Sequence, residues 1–194
     1  MITIPVIKNN NITKNHKTIF IFIISLIFFF SGFLFYNKFG SPEVINLLAK
    51  RNENIRQIKS RIVTNSSLIK NNPKNIKAWL ELGDDFMETG QFVAASNSYK
   101  QAVLISNGNP DIIMSYVYSL IIGNDGKVSE HAKKSIDIVL MLQPKNEQAR
   151  YFSAIYKIQS GEAKEAMKEM KDLYKSLDKD SPLRSMIDQQ IGRK

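Results

Sequence analysis

The sequence predicts an all-α protein: a single N-terminal transmembrane helix, then an α-solenoid of about three helix hairpins with a flanking helix at each end. Three observations predict it. Residues Thr18 to Tyr36 run nineteen positions without a charge. Prolines recur at Pro73, Pro110, Pro144 and Pro182, which are 37, 34 and 38 residues apart. Between them small residues such as Gly83, Ala95 and Ala102 alternate with Trp79, Phe86 and Tyr99 at helical spacing, the pattern of two helices that approach closely and fill the space around the contact with rings.

Residues 1–17 are polar, basic and rich in asparagine, without an apolar period, and read as a short tail. The charge-free stretch 18–36 is about 28 Å long as a helix, enough to cross a bilayer core. A cleaved signal peptide would carry a small-x-small site after the apolar run, whereas Tyr36-Asn37-Lys38 stands there, so an anchor is expected. Lys8, Lys14 and Lys17 on one side roughly balance Lys38, Lys50 and Arg51 on the other. Because long C-terminal domains translocate with little regard to charge, the expected orientation has the N-terminus in the cytoplasm and the rest outside it. Residues 37–72 form a linker and a long helix: Ser41-Pro42-Glu43 is a helix start. Val44, Leu48, Ile55, Ile58, Ile62 and Ile69 follow at 3-4 spacing, interrupted by Arg51 and Asn65. That stripe packs on its own domain at its Ile62 to Ile69 end; whether its upper part meets a partner stays open.

Residues 73–191 carry the repeats. With Ile76 as position 1, Trp79, Leu82, Gly83 and Phe86 fall at 4, 7, 8 and 11, Gly90 at 15, Phe92 at 17, and Ala95, Tyr99 and Ala102 at 20, 24 and 27. This is the tetratricopeptide (TPR) pattern, so the solenoid is TPR-type. Ala95, Ala132 and Ala166 each stand 22 residues after a proline, and Pro73-Lys74-Asn75 returns as Pro144-Lys145-Asn146, proline ending one helix and asparagine capping the next. Counted from Pro110, the second repeat puts Leu120 at position 8 and has a polar, glycine-rich turn, Gly123-Asn124-Asp125-Gly126-Lys127. The third has Arg150 in place of tryptophan. After Pro182, Leu183 to Ile191 is amphipathic enough to cap the open end of the stack.

Composition narrows the function. The net charge is +9, but residues 41–194 hold 23 basic and 18 acidic residues scattered among one another, a solvated surface rather than a nucleic-acid face. With no cysteine, disulfides, thiol redox chemistry and cysteine-ligated metal are excluded. No catalytic set emerges: Asp84 and Asp85 point about 100° apart on a helix, and His131 has no second histidine or cysteine beside it. No enzyme activity, cofactor or metal is expected.

What remains is the concave groove of such a stack, lined by positions 2, 5, 9, 12 and 13 of each first helix. Read by the proline count, the peptide-binding candidates are Leu80, Asp84 and Met87, then Met114, Val117 and Ile121, then Tyr151, Ile155 and Ile158. A lining this apolar suits an amphipathic helix better than a carboxylate held by a basic clamp. Val117, Ile121, Tyr151 and Ile155 are expected at its centre. Cover of Leu80 and Ile158 by the flanking helices is the competing reading.

The order of motifs Leu68-Ile69, Asn72-Pro73, Trp79, Leu82-Gly83, Tyr99, Ala102, Leu142-x-Pro144, Ala149-Arg150-Tyr151-Phe152 and Gln159-x-Gly161 resembles the TPR domain of the cytochrome c-type biogenesis protein family CcmI (CycH), over about residues 55–191. That family commonly has a tryptophan where this chain has Met170. The resemblance implies a periplasmic TPR domain on an anchor in the bacterial inner membrane. It further implies capture of the C-terminal helix of apocytochrome c, or another helical peptide, and its transfer to the membrane components of thiol reduction and haem ligation. The rival is a membrane-anchored TPR scaffold of the YfgM type, linking envelope complexes without a cytochrome client.

Overall fold

The computed structural model describes residues 11–192, with side chains from Ile19 onward except that of Phe39. Among the described residues every regular element is helical: α1 (Asn11–Phe39), α2 (Pro42–Asn71), α3 (Ile76–Glu88), α4 (Phe92–Ile105), α5 (Pro110–Ile122), α6 (Glu130–Leu142), α7 (Glu147–Gln159), α8 (Ala163–Ser176) and α9 (Pro182–Ile191). The chain divides into two compact units, Met1–Ile55 and Arg56–Lys194.

In the first unit, α1 carries the apolar stretch Ile19–Lys38, 20 residues with none of it buried, long and apolar enough to cross a membrane. Among the described residues α1 also takes in the polar residues from Asn11 onward, ahead of the apolar stretch. Residues 1–10 of the expected tail lie outside the described residues. A break at Gly40 precedes α2, whose first turn is capped by the Ser41 hydroxyl accepting from the Val44 amide at 3.3 Å.

In the second unit, α3 to α9 form a TPR-type α-solenoid in which each helix packs on the next in sequence and α9 also reaches α7. Asparagine starts each hairpin: the side chains of Asn75, Asn109 and Asn146 accept from the first amides of α3, α5 and α7. Gly90 and Gly161 close the turns α3–α4 and α7–α8 with φ of +73° and +89°, a conformation that costs other residues about 1 kcal/mol or more. The aligned alanines Ala95, Ala132 and Ala166 are fully buried, where they let paired helices approach. Gly83 does the same for the first hairpin, since a Cβ there would stand 2.5 Å from the Tyr99 ring.

The main core joins the second and third hairpins to α9 through Val117, Ile136, Val139, Met170, Leu173 and Ile187. Met170, at the position where the resembling family favours tryptophan, fills its slot with no exposure. A smaller cluster of Ala95, Tyr99 and Tyr116 holds the first hairpin to the second. On α2, Ile58 and Asn65 are buried, and Arg61 donates from Nε to Asp85 at 2.8 Å and reaches Glu88 at 3.3 Å.

Candidate functional site, a concave apolar channel

The register of the second repeat follows its cap rather than its proline. In the first and third repeats proline precedes the capping asparagine by two residues, whereas Asn109 caps α5 and Pro110 is the first helical residue. Proline fits there because its missing N–H is one that the first turn leaves unbonded anyway. Helix α5 therefore starts three residues earlier, relative to its proline, than α3 and α7 do. Caps Asn75 and Asn109 are 34 residues apart. The additional length of the second repeat lies in its turn, residues 123–129.

This shift moves the site. Val117 occupies position 8, the close-packing slot, and is fully buried, so it presents no surface to a ligand; Leu120 falls at 11 instead. Position 9 is Tyr118, which is 49% exposed. Helix α9, like α5, has proline as its first helical residue, although Ser181 makes no side-chain cap bond of the kind Asn109 makes, and counted from Pro182 it takes the place of the first helix of a fourth, half repeat.

Two neighbouring hollows follow the concave positions of α5, α7 and α9. One, of about 350 Å³, is lined by Asp111, Met114, Ser115, Tyr118, Gln148, Phe152, Leu183 and Met186. The other, of about 370 Å³, is lined by Tyr118, Ile121, Ile122, Gly126, Tyr151, Phe152, Ile155, Ile158, Gln159, Met186 and Gln190. Tyr118, Phe152 and Met186 border both, one from each helix. The Phe152 and Tyr151 rings meet edge to face at 5.3 Å, which fixes their orientation. Burial pushes the Tyr151 hydroxyl above its ordinary pKa, so it stays a neutral hydrogen-bonding group at any physiological pH. The long second turn is tied to the channel: the Val128 amide donates to the Gln159 side chain at 3.1 Å, and Asn124 donates to the Lys127 carbonyl at 3.0 Å.

Five of the nine sequence-derived candidates, Met114, Ile121, Tyr151, Ile155 and Ile158, line these hollows. Met114, Ile121 and Tyr151 are nonetheless mostly enclosed and form the floor rather than the rim. Leu80 and Met87 pack against the Tyr99 and Tyr116 cluster. Asp84 is exposed and accepts from the Tyr99 hydroxyl at 2.6 Å. Burial, and then this carboxylate, raises the Tyr99 hydroxyl well above the usual tyrosine range. Tyr118, Phe152, Leu183 and Met186 were not among the sequence candidates. The asparagine spacing was the signal that would have found Tyr118, and the Ser-Pro start of α9 the signal for Leu183 and Met186.

No cation lines either hollow. Lys77, at position 2 of α3, pairs with Glu81 at 3.6 Å. Elsewhere His131 shares a 2.7 Å hydrogen bond with the Tyr116 hydroxyl, and among the described residues no cluster of three or more histidine or acidic side chains is placed to hold a metal.

Stacked hairpins around such a concave channel define a tetratricopeptide-repeat protein. Residues 65–184 match the family described as the cytochrome c-type biogenesis protein H TPR domain, and the chain belongs to that family. It is similar to the cytochrome c-type biogenesis protein CycH of Rhizobium meliloti (strain 1021), with 25% identity over 121 residues, covering 62% of this chain and 32% of that protein. The chain thus spans about a third of the length of this relative. Among solved structures it resembles MamA, with a TM-score of 0.58 and 18% identity over 74% of this chain and 79% of that one. It also resembles YrrB, described as a TPR protein with an unusual peptide-binding site, with a TM-score of 0.56 and 14% identity over 76% and 70%. At these identities the two structures establish the fold.

Proposed function

We propose that this chain is a non-catalytic, membrane-anchored chaperone of cytochrome c maturation. The channel between α5, α7 and α9 holds the C-terminal helix of an apocytochrome c by its apolar face. The observation that carries this reading is the pair of adjoining apolar hollows, free of any lining cation, on a fold whose family is one of cytochrome c-type biogenesis. A carboxylate terminus would need a basic clamp that the channel lacks; an amphipathic helix needs only an apolar trough with aromatic and methionine walls that adapt to it. With the helix bound, the haem-binding segment of the client stays free. Lacking cysteine, the chain holds the client without reducing it, and thiol reduction and haem ligation fall to membrane partners. The N-terminus faces the cytoplasm, α1 spans the bacterial inner membrane and the solenoid lies in the periplasm.

Useful capture means a Kd of about 1 μM or tighter, roughly −8 kcal/mol. Burial at about 25 cal/mol per Å² must also offset the cost of ordering the peptide, so a few anchors dominate. The test measures binding of the whole chain in detergent to a labelled terminal helix of a c-type apocytochrome and to a shuffled peptide of the same composition. A clear preference for the native order is expected. Equal binding would remove the chaperone reading and favour a scaffold without a cytochrome client.

A further inference from the structure

In the N-terminal unit, α1 is followed after Gly40 and Ser41 by α2, whose first two turns expose Val44 (42%), Ile45 (56%), Leu47 (67%) and Leu48 (51%). At about 100° per residue these four cover a broad arc of the helix, with Glu43, Asn46 and Lys50 on the opposite side. Arg51 stands within the apolar arc. A coiled-coil partner would need the Val44 and Leu48 stripe to continue at 3-4 spacing, and Arg51 occupies the next seam position. A bilayer surface has no such requirement, since arginine lays its stem along apolar neighbours and lifts its head to the lipid phosphates.

Chain length places that surface within reach. The apolar stretch of α1 ends at Lys38, and Val44 follows six residues later. At no more than about 3.5 Å per residue, Val44 lies within about 20 Å of the end of the span, and the headgroup layer beside it is itself about 5–8 Å deep. We propose that the first two turns of α2 lie in the headgroup layer of the bilayer that α1 enters. Val44, Ile45, Leu47 and Leu48 turn toward the acyl chains, and Lys50 and Arg51 toward anionic lipid phosphates. The proposal rests on the reading of α1 as a membrane anchor and is independent of the channel's ligand.

The absence of cysteine makes every engineered cysteine unique. Phe29→Cys, Leu48→Cys and Asn46→Cys variants of the whole chain, each labelled with an environment-sensitive dye, are placed in phosphatidylcholine vesicles with and without phosphatidylglycerol. They are then exposed to a headgroup-level lipid quencher or to aqueous iodide. The expected result is a Phe29 label closed to iodide, and a Leu48 label several-fold more sensitive to the lipid quencher than the Asn46 label. That contrast is expected to grow with phosphatidylglycerol and to shrink when Lys50→Glu and Arg51→Glu are added. Equal iodide access at Leu48 and Asn46 overturns the proposal, as does a Leu48 label shielded from both quenchers, which would mean a protein partner. A Phe29 label open to iodide overturns the anchor itself and the proposal with it.

Discussion

The first hairpin and the region of α5, α7 and α9 divide the work of the solenoid unequally. The first hairpin follows the repeat pattern most closely, with Trp79, Leu82, Gly83, Phe86, Ala95, Tyr99 and Ala102 all in place. Yet Leu80 and Met87 pack inward and Asp84 is engaged by Tyr99. The second and third repeats depart further from the pattern, with a long turn and Arg150 where tryptophan is expected, and they line the hollows. The repeat residues encode how two helices touch; what faces the channel is set by positions the pattern leaves free. In this chain the hairpin that matches the repeat best is the one that lines neither hollow.

The two regions differ most at the residues that border both hollows. Tyr118→Ala is expected to weaken helix binding by about 2–4 kcal/mol, the range of a central aromatic anchor, while leaving the urea midpoint nearly unchanged because the ring is half exposed. Leu80→Ala is expected to do the reverse, costing stability but little affinity. Titration of each variant with the labelled helix, alongside urea unfolding followed on the solenoid's signal, checks both. Equal affinity losses would place the ligand along all three hairpins.

The next effect sharpens the view of the first hairpin as a packing element. Gly83→Ala drives a methyl group into the buried Tyr99 ring and is expected to destabilise the fold by about 1–3 kcal/mol, read as a lower thermal midpoint. Below it comes Asn109→Ala, which removes the side-chain cap of α5 and should cost about 1 kcal/mol. Because Pro110 keeps the helix start where it is, affinity for the helix is expected to survive that substitution.

The smallest effect is electrostatic. Lys157 donates to Glu165 at 2.8 Å and to Glu169 at 2.7 Å. Hydrogen bonding from Lys157 holds the Glu165 carboxyl below its usual range, and the bonds to Glu165 and then Glu169 raise the Lys157 ammonium above its own. The carboxylate's contribution is full above the unfolded-state value and is lost as pH falls through the lowered folded one. The lysine's contribution is full below its unfolded-state value and is lost as pH rises through the raised one. The stability gap between the wild type and Lys157→Met, measured by urea unfolding, is expected to be small at neutral pH and to shrink toward pH 3.

Much of this was legible in the chain. The apolar run, the number of hairpins, the terminal amphipathic helix and an apolar channel all follow from periods and spacing. The register of the second repeat did not, because proline serves two purposes: in Pro73 and Pro144 it precedes the capping asparagine, and in Pro110 it begins the helix itself. Counting from the wrong one placed buried Val117 in the channel and overlooked Tyr118. Met186 follows from the Ser-Pro start of α9 once that helix is counted as a repeat, whereas Phe152 depends on how α7 and α9 stand against each other, which local pattern does not encode.

The proposed function requires an amphipathic helix to lie in the channel between α5, α7 and α9. The most direct measurement is photo-crosslinking of the whole chain with a terminal apocytochrome helix carrying a benzophenone on its apolar face, followed by mapping of the adducts. The account predicts adducts at Tyr118, Phe152 and Met186. Adducts concentrated on α3, or on the outer faces of α4 and α6, would contradict it.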